Sequence, residues 1–228
     1  MNDAHVLSAR GIWKSFNEGD DCLSILRGAC LDVCAGEVVS ITGPSGSGKS
    51  TFLHICGILD PPDEGTVEVG GVDAWSVHES RRAVIRNRSL GFVFQFHHLL
   101  EEFTLLENTA MPSMLAGIPR RDSLDRARAL LAEVGLEGRM SHFPSQASGG
   151  ERQRAAVARA LILNPAVVLA DEPTGNLDKE NSLRVEELVF DLSARLRQAF
   201  VIATHSQELA ARADRCLVLE NGLLVESP

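Results

Sequence analysis

The sequence predicts an α/β fold organised on a parallel sheet, and three observations carry that reading. The opening third is strand-like, the later chain alternates helical patterns with short apolar runs, and four of those runs end in a polar group. A chain of 228 residues is long enough for one such domain, 1–228, with a core of its own.

In chain order, Val6–Leu7, Cys30–Val33 and Thr66–Val69 are β-prone, with turn signals at Glu18-Gly19-Asp20 and Gly70-Gly71. Trp13-Lys14-Ser15 reads as exposed. Phe16 after it is either a platform for a nucleobase or a strand aromatic in the core. The four decisive runs follow. Val38-Val39-Ser40-Ile41-Thr42 ends in a Gly-rich loop, Leu90-Gly91-Phe92-Val93-Phe94 in Gln95, Val167-Val168-Leu169-Ala170 in Asp171-Glu172, and Phe200-Val201-Ile202-Ala203-Thr204 in His205. Ligands of open parallel sheets lie outside the C-terminal strand ends, so these four polar elements are expected around one crevice. Two helices are legible. One covers Ser123 to Val134, with Leu124, Leu131 and Val134 on one side. The other places Val185, Leu188, Val189, Leu192 and Leu196 at i, i+3, i+4, i+7 and i+11.

Composition excludes several classes. The net charge is −9 and the pI about 5.3, against the basic patches that sequence-independent nucleic-acid binding needs, so no nucleic-acid partner is expected. The five cysteines are odd in number and form no CxxC pair, so they read as small buried residues rather than metal ligands. The N-terminal residues lack the pattern of a signal peptide, and no run approaches the ~18 apolar residues of a spanning helix. A membrane role would therefore need another chain to supply the membrane part.

The Gly-rich loop, Gly43-Pro44-Ser45-Gly46-Ser47-Gly48-Lys49-Ser50, fits GxxxxGK[ST] between a strand and an apolar helix. Its glycines let backbone N–H groups turn toward phosphate oxygens, and the following helix adds its own. Lys49 is expected to reach the β- and γ-phosphates and the Ser50 hydroxyl to ligand Mg²⁺. Asp171 stands where a Mg²⁺ ligand acting through water belongs, and Glu172 where a base can take a proton from the attacking water. His205 and Gln95 end their strands toward the same crevice, where either can contact the γ-phosphate region, the water or the metal. Ser148-Gly149-Gly150-Glu151 opens a helical run, Arg152 to Leu163, and makes a second anion site. One nucleotide cannot easily use two helix N-termini of one chain and stay open to exchange. Two chains facing each other, each closing the other's site, solve this.

Together these elements resemble the nucleotide-binding subunit of ABC transporters over essentially the whole chain. Gly43–Ser50 is similar to the Walker A loop, Gln95 to the Q-loop residue, Ser148-Gly149-Gly150-Glu151-Arg152-Gln153 to the signature motif, and Val167–Asp171 with Glu172 to Walker B and its catalytic carboxylate. Gly175-Asn176-Leu177-Asp178 is similar to the D-loop, and His205 to the switch histidine. The resemblance implies the P-loop NTPase fold of ABC ATPases: a mostly parallel sheet core, an N-terminal antiparallel β subdomain and a small α-helical subdomain at about 95–160. It implies ATP and Mg²⁺ as ligands. Nucleotide contacts fall to Phe16, Gly43 to Ser50 and Thr51, metal contacts to Ser50, Gln95 and Asp171, and catalysis to Glu172, His205 and Gln95. It further implies a homodimer sandwiching ATP, with Ser148, Gly149, Gly150 and Glu151 acting in trans and Asp178 in the D-loop. Integral membrane permease subunits would contact the region after Gln95.

A narrower likeness lies in Glu172-Pro173-Thr174-Gly175-Asn176-Leu177-Asp178, typical of lipoprotein-releasing ATPases, macrolide and peptide exporters and a cell-division relative. Gly91–Leu100, Phe103-Thr104 and Glu107-Asn108 are similar to the lipoprotein-releasing (Lol-type) ATPases. This implies a peripheral position on the cytoplasmic face of a bacterial inner membrane, and makes His97-His98 a contact surface. Ala147, Phe16, Glu101 and Ser206 depart from the pattern, standing where Leu, Tyr, Pro and Asp are commoner.

Overall fold

The computed structural model describes residues 5–18 and 21–227. Gly19 and Asp20, on which the first expected turn falls, lie outside the described residues, as does the side chain of Cys22. In chain order, β1 (His5–Glu18), β2 (Asp21–Cys34) and β3 (Val38–Thr42) lead to α1 (Lys49–Cys56), and then come β4 (Glu64–Val69), β5 (Val72–Asp73), α2 (Glu79–Ser89) and β6 (Leu90–Phe94). Three helices follow: α3 (Leu105–Leu115), α4 (Arg120–Glu133) and α5 (Gly149–Leu161). The chain closes with β7 (Val167–Asp171), α6 (Lys179–Leu196), β8 (Ala199–Ala203), α7 (Gln207–Arg212), β9 (Arg215–Glu220) and β10 (Leu223–Glu226).

Two sheets result. One is antiparallel, in the order β2-β1-β4-β5; the other runs β10-β9-β3-β8-β7-β6 and is parallel except for the β9–β10 pair. The four decisive runs are thus β3, β8, β7 and β6, which are consecutive neighbours. Their apolar continuity has a direct cause, since both faces are covered. Val167, Leu169, Val201 and Ile41 face a core shared with α1 and the antiparallel sheet, whereas Val168, Ala170, Phe200 and Ile202 pack against Val157 and Leu161 of α5 and Val189 and Leu192 of α6. The span from 95 to 160 holds α3, α4, most of α5 and short 3-10 turns, with no strand among the described residues.

Three expectations are corrected. The segment Trp13-Lys14-Ser15 is not uniformly exposed: Trp13 is, but Lys14 is buried, because strand alternation turns it inward, where its Nζ donates to Asp60 Oδ1 (3.1 Å) and Pro61 O (2.7 Å). Among the four cysteines whose side chains are described, Cys56 alone is buried, and Cys30 is exposed on β2. Burial in the core pushes the Cys56 thiol far up, so that it behaves as a small apolar residue. Finally, α4 begins at Arg120, ahead of the expected Ser123, since its first turn is polar and carries no apolar period.

Candidate functional site

The loop between β3 and α1 is shaped by glycine where no other residue fits. Gly48, at the N-cap of α1, has φ 102°, and a Cβ there would strike the Ile25 side chain. No acid stands in the first turn of α1 and no side chain caps it, so its leading N–H groups remain available to an anion. Lys49 is only 6% exposed, yet its Nζ is held in the loop, donating to Gly43 O (2.9 Å) and Pro44 O (3.1 Å). The cation is therefore held within the loop by the loop's own carbonyls.

Register gathers the remaining groups. Phe94 pairs with Asp171, Asp171 with Ala203, and Ala203 with Ile41, so the four strands end level. The residues that follow emerge side by side. His205 Nε2 lies 3.2 Å from Glu172 Oε1 and 3.4 Å from Lys49 Nζ, and the His205 backbone N–H donates to Glu172 Oε2 (3.3 Å). Glu172 has φ 45°, uncommon for a non-glycine residue, and its N–H is tied to Ala203 O (2.9 Å). A cleft of about 350 Å³ opens at this point, lined by Phe16, Ile25, Ser45, Gly46, Gly48, Lys49, Ser50, Thr51, Gln95, Glu172 and His205. Phe16 is 45% exposed, which decides against a core aromatic, and Lys14 Nζ sits 5.3 Å from its ring centroid.

Not every expected residue lines this cleft. Gly43 borders a neighbouring cavity of about 630 Å³ with Thr204 and His205, and Ser47 Oγ is buried without a hydrogen-bond partner. Asp171 Oδ1 is likewise buried and unpartnered, an acceptor set behind the cleft wall. Pro44 enters only through its carbonyl. Ser148 to Glu151 and Asp178 stand outside the cleft. They form a unit of their own, in which Ser148 caps α5, accepting from Glu151 N (3.3 Å), while Glu151 accepts from Ser148 N (2.7 Å). Those bonds, with Arg139 adding, hold the Glu151 carboxyl below its ordinary range. A Cβ on Gly150 would collide with Asn181, whose backbone N–H is capped by Asp178 at 2.9 Å.

Sequence reasoning missed Ile25 and Asn181, and gave Asn176, quoted within the D-loop stretch, no role of its own. Ile25 lines the cleft, as the alternation of β2 places it on that face. Asn176 clasps Gln95 from both sides, its Oδ1 accepting from Gln95 Nε2 (3.2 Å) and its Nδ2 donating to Gln95 O (3.3 Å). Asn181 packs the D-loop helix on Gly150, a contact that no single motif announces.

The segment after Gln95 is fixed from inside and open outside. Asn108 is buried, and its amide holds Leu100, Phe103 and Thr104 through four hydrogen bonds of 2.7–3.1 Å. Arg159 donates to His97 O and His98 O, and Arg152 Nε to His97 Nε2 at 2.8 Å. Burial and the Arg152 charge hold the His97 pKa down, so the ring serves as a neutral acceptor. Beside it lies a groove of about 510 Å³, with Leu59, Phe92, Phe94, Leu115 and Ile162 among its apolar walls and Arg86, His98 and Arg159 among its polar ones. Phe96 stands 65% exposed nearby.

Comparison with known proteins agrees with this geometry. Residues 26–175 match the family described as ABC transporter. The chain is 54% identical to the lipoprotein-releasing system ATP-binding protein LolD of Bordetella pertussis, over 96% of this chain and 95% of that one. It is 48% identical to the LolD of Legionella pneumophila (strain Paris), over 98% of each. Among solved structures, a dimeric ATP-binding cassette in a post-hydrolysis state, bound to ADP and Pi, has a TM-score of 0.88 and 34% identity over 96% of both chains.

Proposed function

We propose, from the premise that this chain belongs to the ABC transporter family as one of its ATP-hydrolysing subunits, that it powers release of lipoproteins from the bacterial inner membrane toward the outer membrane. The observation that carries the hydrolytic part is the level ending of four neighbouring strands, which sets Lys49, His205, Glu172 and Gln95 around one cleft. The cargo reading is supported by near full-length likeness to proteins named for lipoprotein release.

In this reading ATP lies with its phosphates on the Gly43–Ser50 loop and the first turn of α1, and its base on Phe16 with Ile25 at the edge. Lys49 leaves the loop carbonyls for the β- and γ-phosphates. Glu172 takes the proton from the attacking water, and His205, pinned to Glu172, donates toward the γ-phosphate as charge gathers there. Mg²⁺ fits the donor set: the Ser50 hydroxyl, the Gln95 amide oxygen and the buried, unpartnered Asp171 Oδ1 are all oxygen ligands. Bound there, the ion neutralises charge on the phosphate oxygens. Gln95 is tied to Asn176 through its Nε2 and its backbone oxygen, which leaves the side-chain amide oxygen for such an ion.

The chain then works as a homodimer, with Ser148, Gly149, Gly150 and Glu151 of one copy completing the other's cleft and Asp178 at the seam. It forms one ATP-binding domain, 1–228, in which about 95–160 is the helical subdomain. Integral membrane permease subunits seat on the groove beside His98, placing the protein at the cytoplasmic face of the inner membrane. Depletion of the protein in its native cell tests the cargo. Outer-membrane lipoproteins retained in the inner membrane, before any division defect, are the expected result. Normal sorting would transfer the engine to macrolide or peptide export, or to cell-division signalling.

A further inference from the structure

The α6 helix carries one buried acid that the hydrolytic site does not use. Glu186 is 4% exposed and sits among Val185, Val189 and Leu192, residues that face the core. Among the described residues, its side chain accepts one hydrogen bond, from the hydroxyl of Ser206 at 3.5 Å to Oε1. Ser206 directly follows His205. Its Oγ already accepts from Leu209 N (3.1 Å), capping α7, and its N–H donates to Thr204 Oγ1 (2.9 Å). The hydroxyl proton is thus the free valence of this turn, and Glu186 is the acceptor that takes it. The carboxylate also faces Arg212 and Glu208 of α7.

We propose that Glu186 is a positioning residue for ATP hydrolysis: from α6 it receives the Ser206 hydroxyl and fixes the turn that holds His205 against Glu172. The inference rests on the proposed role of His205. The same α6 is capped by Asp178 and packs Asn181 on Gly150, so one helix joins the D-loop and the signature unit to the turn after β8. A displaced D-loop in one copy therefore pulls on His205 of that copy.

Burial favours the neutral form of Glu186 and raises its pKa, so the ionised acid costs stability at neutral pH. An apolar substitute at this place is expected to hold or raise stability in either case; a positioning residue differs in losing turnover when it is replaced.

The test is Mg-ATP hydrolysis by the full-length chain. Glu186→Leu removes the acceptor and is expected to melt at the parental temperature or higher, with kcat lowered about ten- to a hundredfold and KM for ATP unchanged. Glu186→Gln keeps an acceptor oxygen and retains most turnover. Ser206→Ala lowers kcat from the other side of the tie, and the Glu186→Leu/Ser206→Ala double variant is no slower than the slower single. Parental kcat in Glu186→Leu, or fully additive losses in the double variant, would overturn the proposal. If Glu186→Leu fails to fold, Ser206→Ala with parental kcat overturns it instead. His205→Ala is the control: parental turnover there would remove the role of His205, whereas a dead His205→Ala beside an unaffected Glu186→Leu removes only this tie.

Discussion

At the scale of single residues the site is a set of short, mutually dependent contacts, and their dependence sets what a substitution does. Glu172 touches His205 twice, once through the ring and once through the backbone, in a left-handed conformation anchored to β8. Glu172→Gln keeps size and an acceptor oxygen for the His205 N–H but cannot take a proton. Turnover is expected to fall by about 10²–10⁴, measured as phosphate release, while ATP binding measured by calorimetry is retained. Equal loss of binding would mean that Glu172 holds the nucleotide rather than the water. Phe16 lies at the other end of the cleft and does no chemistry. Phe16→Ala is expected to weaken ATP binding by about 1–3 kcal/mol with kcat at saturation unchanged, and Phe16→Tyr to bind as the parent does. An unchanged affinity in Phe16→Ala would place the base elsewhere.

At the scale of elements, caps and periodicity explain both stability and what could be read in advance. The capping boxes of α3 and α5 use Thr104 with Glu107 and Ser148 with Glu151, and Asp178 caps α6. Backbone N–H groups hold all three acids below their ordinary range, Asn181 doing so for Asp178. A depressed folded-state pKa gives stability that is present above the unfolded value of about 4 and lost as pH falls through the folded one. Melting temperature is therefore expected to drop below about pH 4, and less steeply in Glu151→Gln; an identical acid limb would show that the box contributes nothing through ionisation. The four central strands were legible because burial on both faces leaves an unbroken apolar run. The α2 helix was not: Ile85 is the one buried residue described on it, so it has no period to read. Nor was α3, where Pro112 lies inside the helix and buried Asn108, Thr109 and Ser113 take places an apolar stripe would fill. In the site, motif residues at strand ends could be named from sequence, because each ends a run. Ile25, Asn181 and the hold of Asn176 on Gln95 could not, because these roles come from which partner the fold lays beside each residue.

At the scale of the whole molecule, the proposed homodimer makes the chain the carrier of half of each site. Its cleft has Lys49, Glu172, His205 and Gln95 on one wall, and the N-terminus of α5 stands outside that cleft with its own capped, glycine-bared turn. In the proposed homodimer a second copy, docked head to tail, would supply the missing wall. Two chains of charge −9 repel at long range, so the proposed association is expected to be helped by salt, which shortens the screening length to about 8 Å near 0.15 M. On that proposal hydrolysis removes the bridge, so the parent protein is expected to hold the closed state briefly. Glu172→Gln, which binds ATP without consuming it, is expected to sediment as a dimer under saturating Mg-ATP and as a monomer with ADP. Adding Ser148→Arg, which sets a bulky side chain at the seam, should return it to monomer without loss of nucleotide binding. A Glu172→Gln protein that stays monomeric with ATP bound would break the sandwich and leave Ser148 to Glu151 as an ordinary helix start.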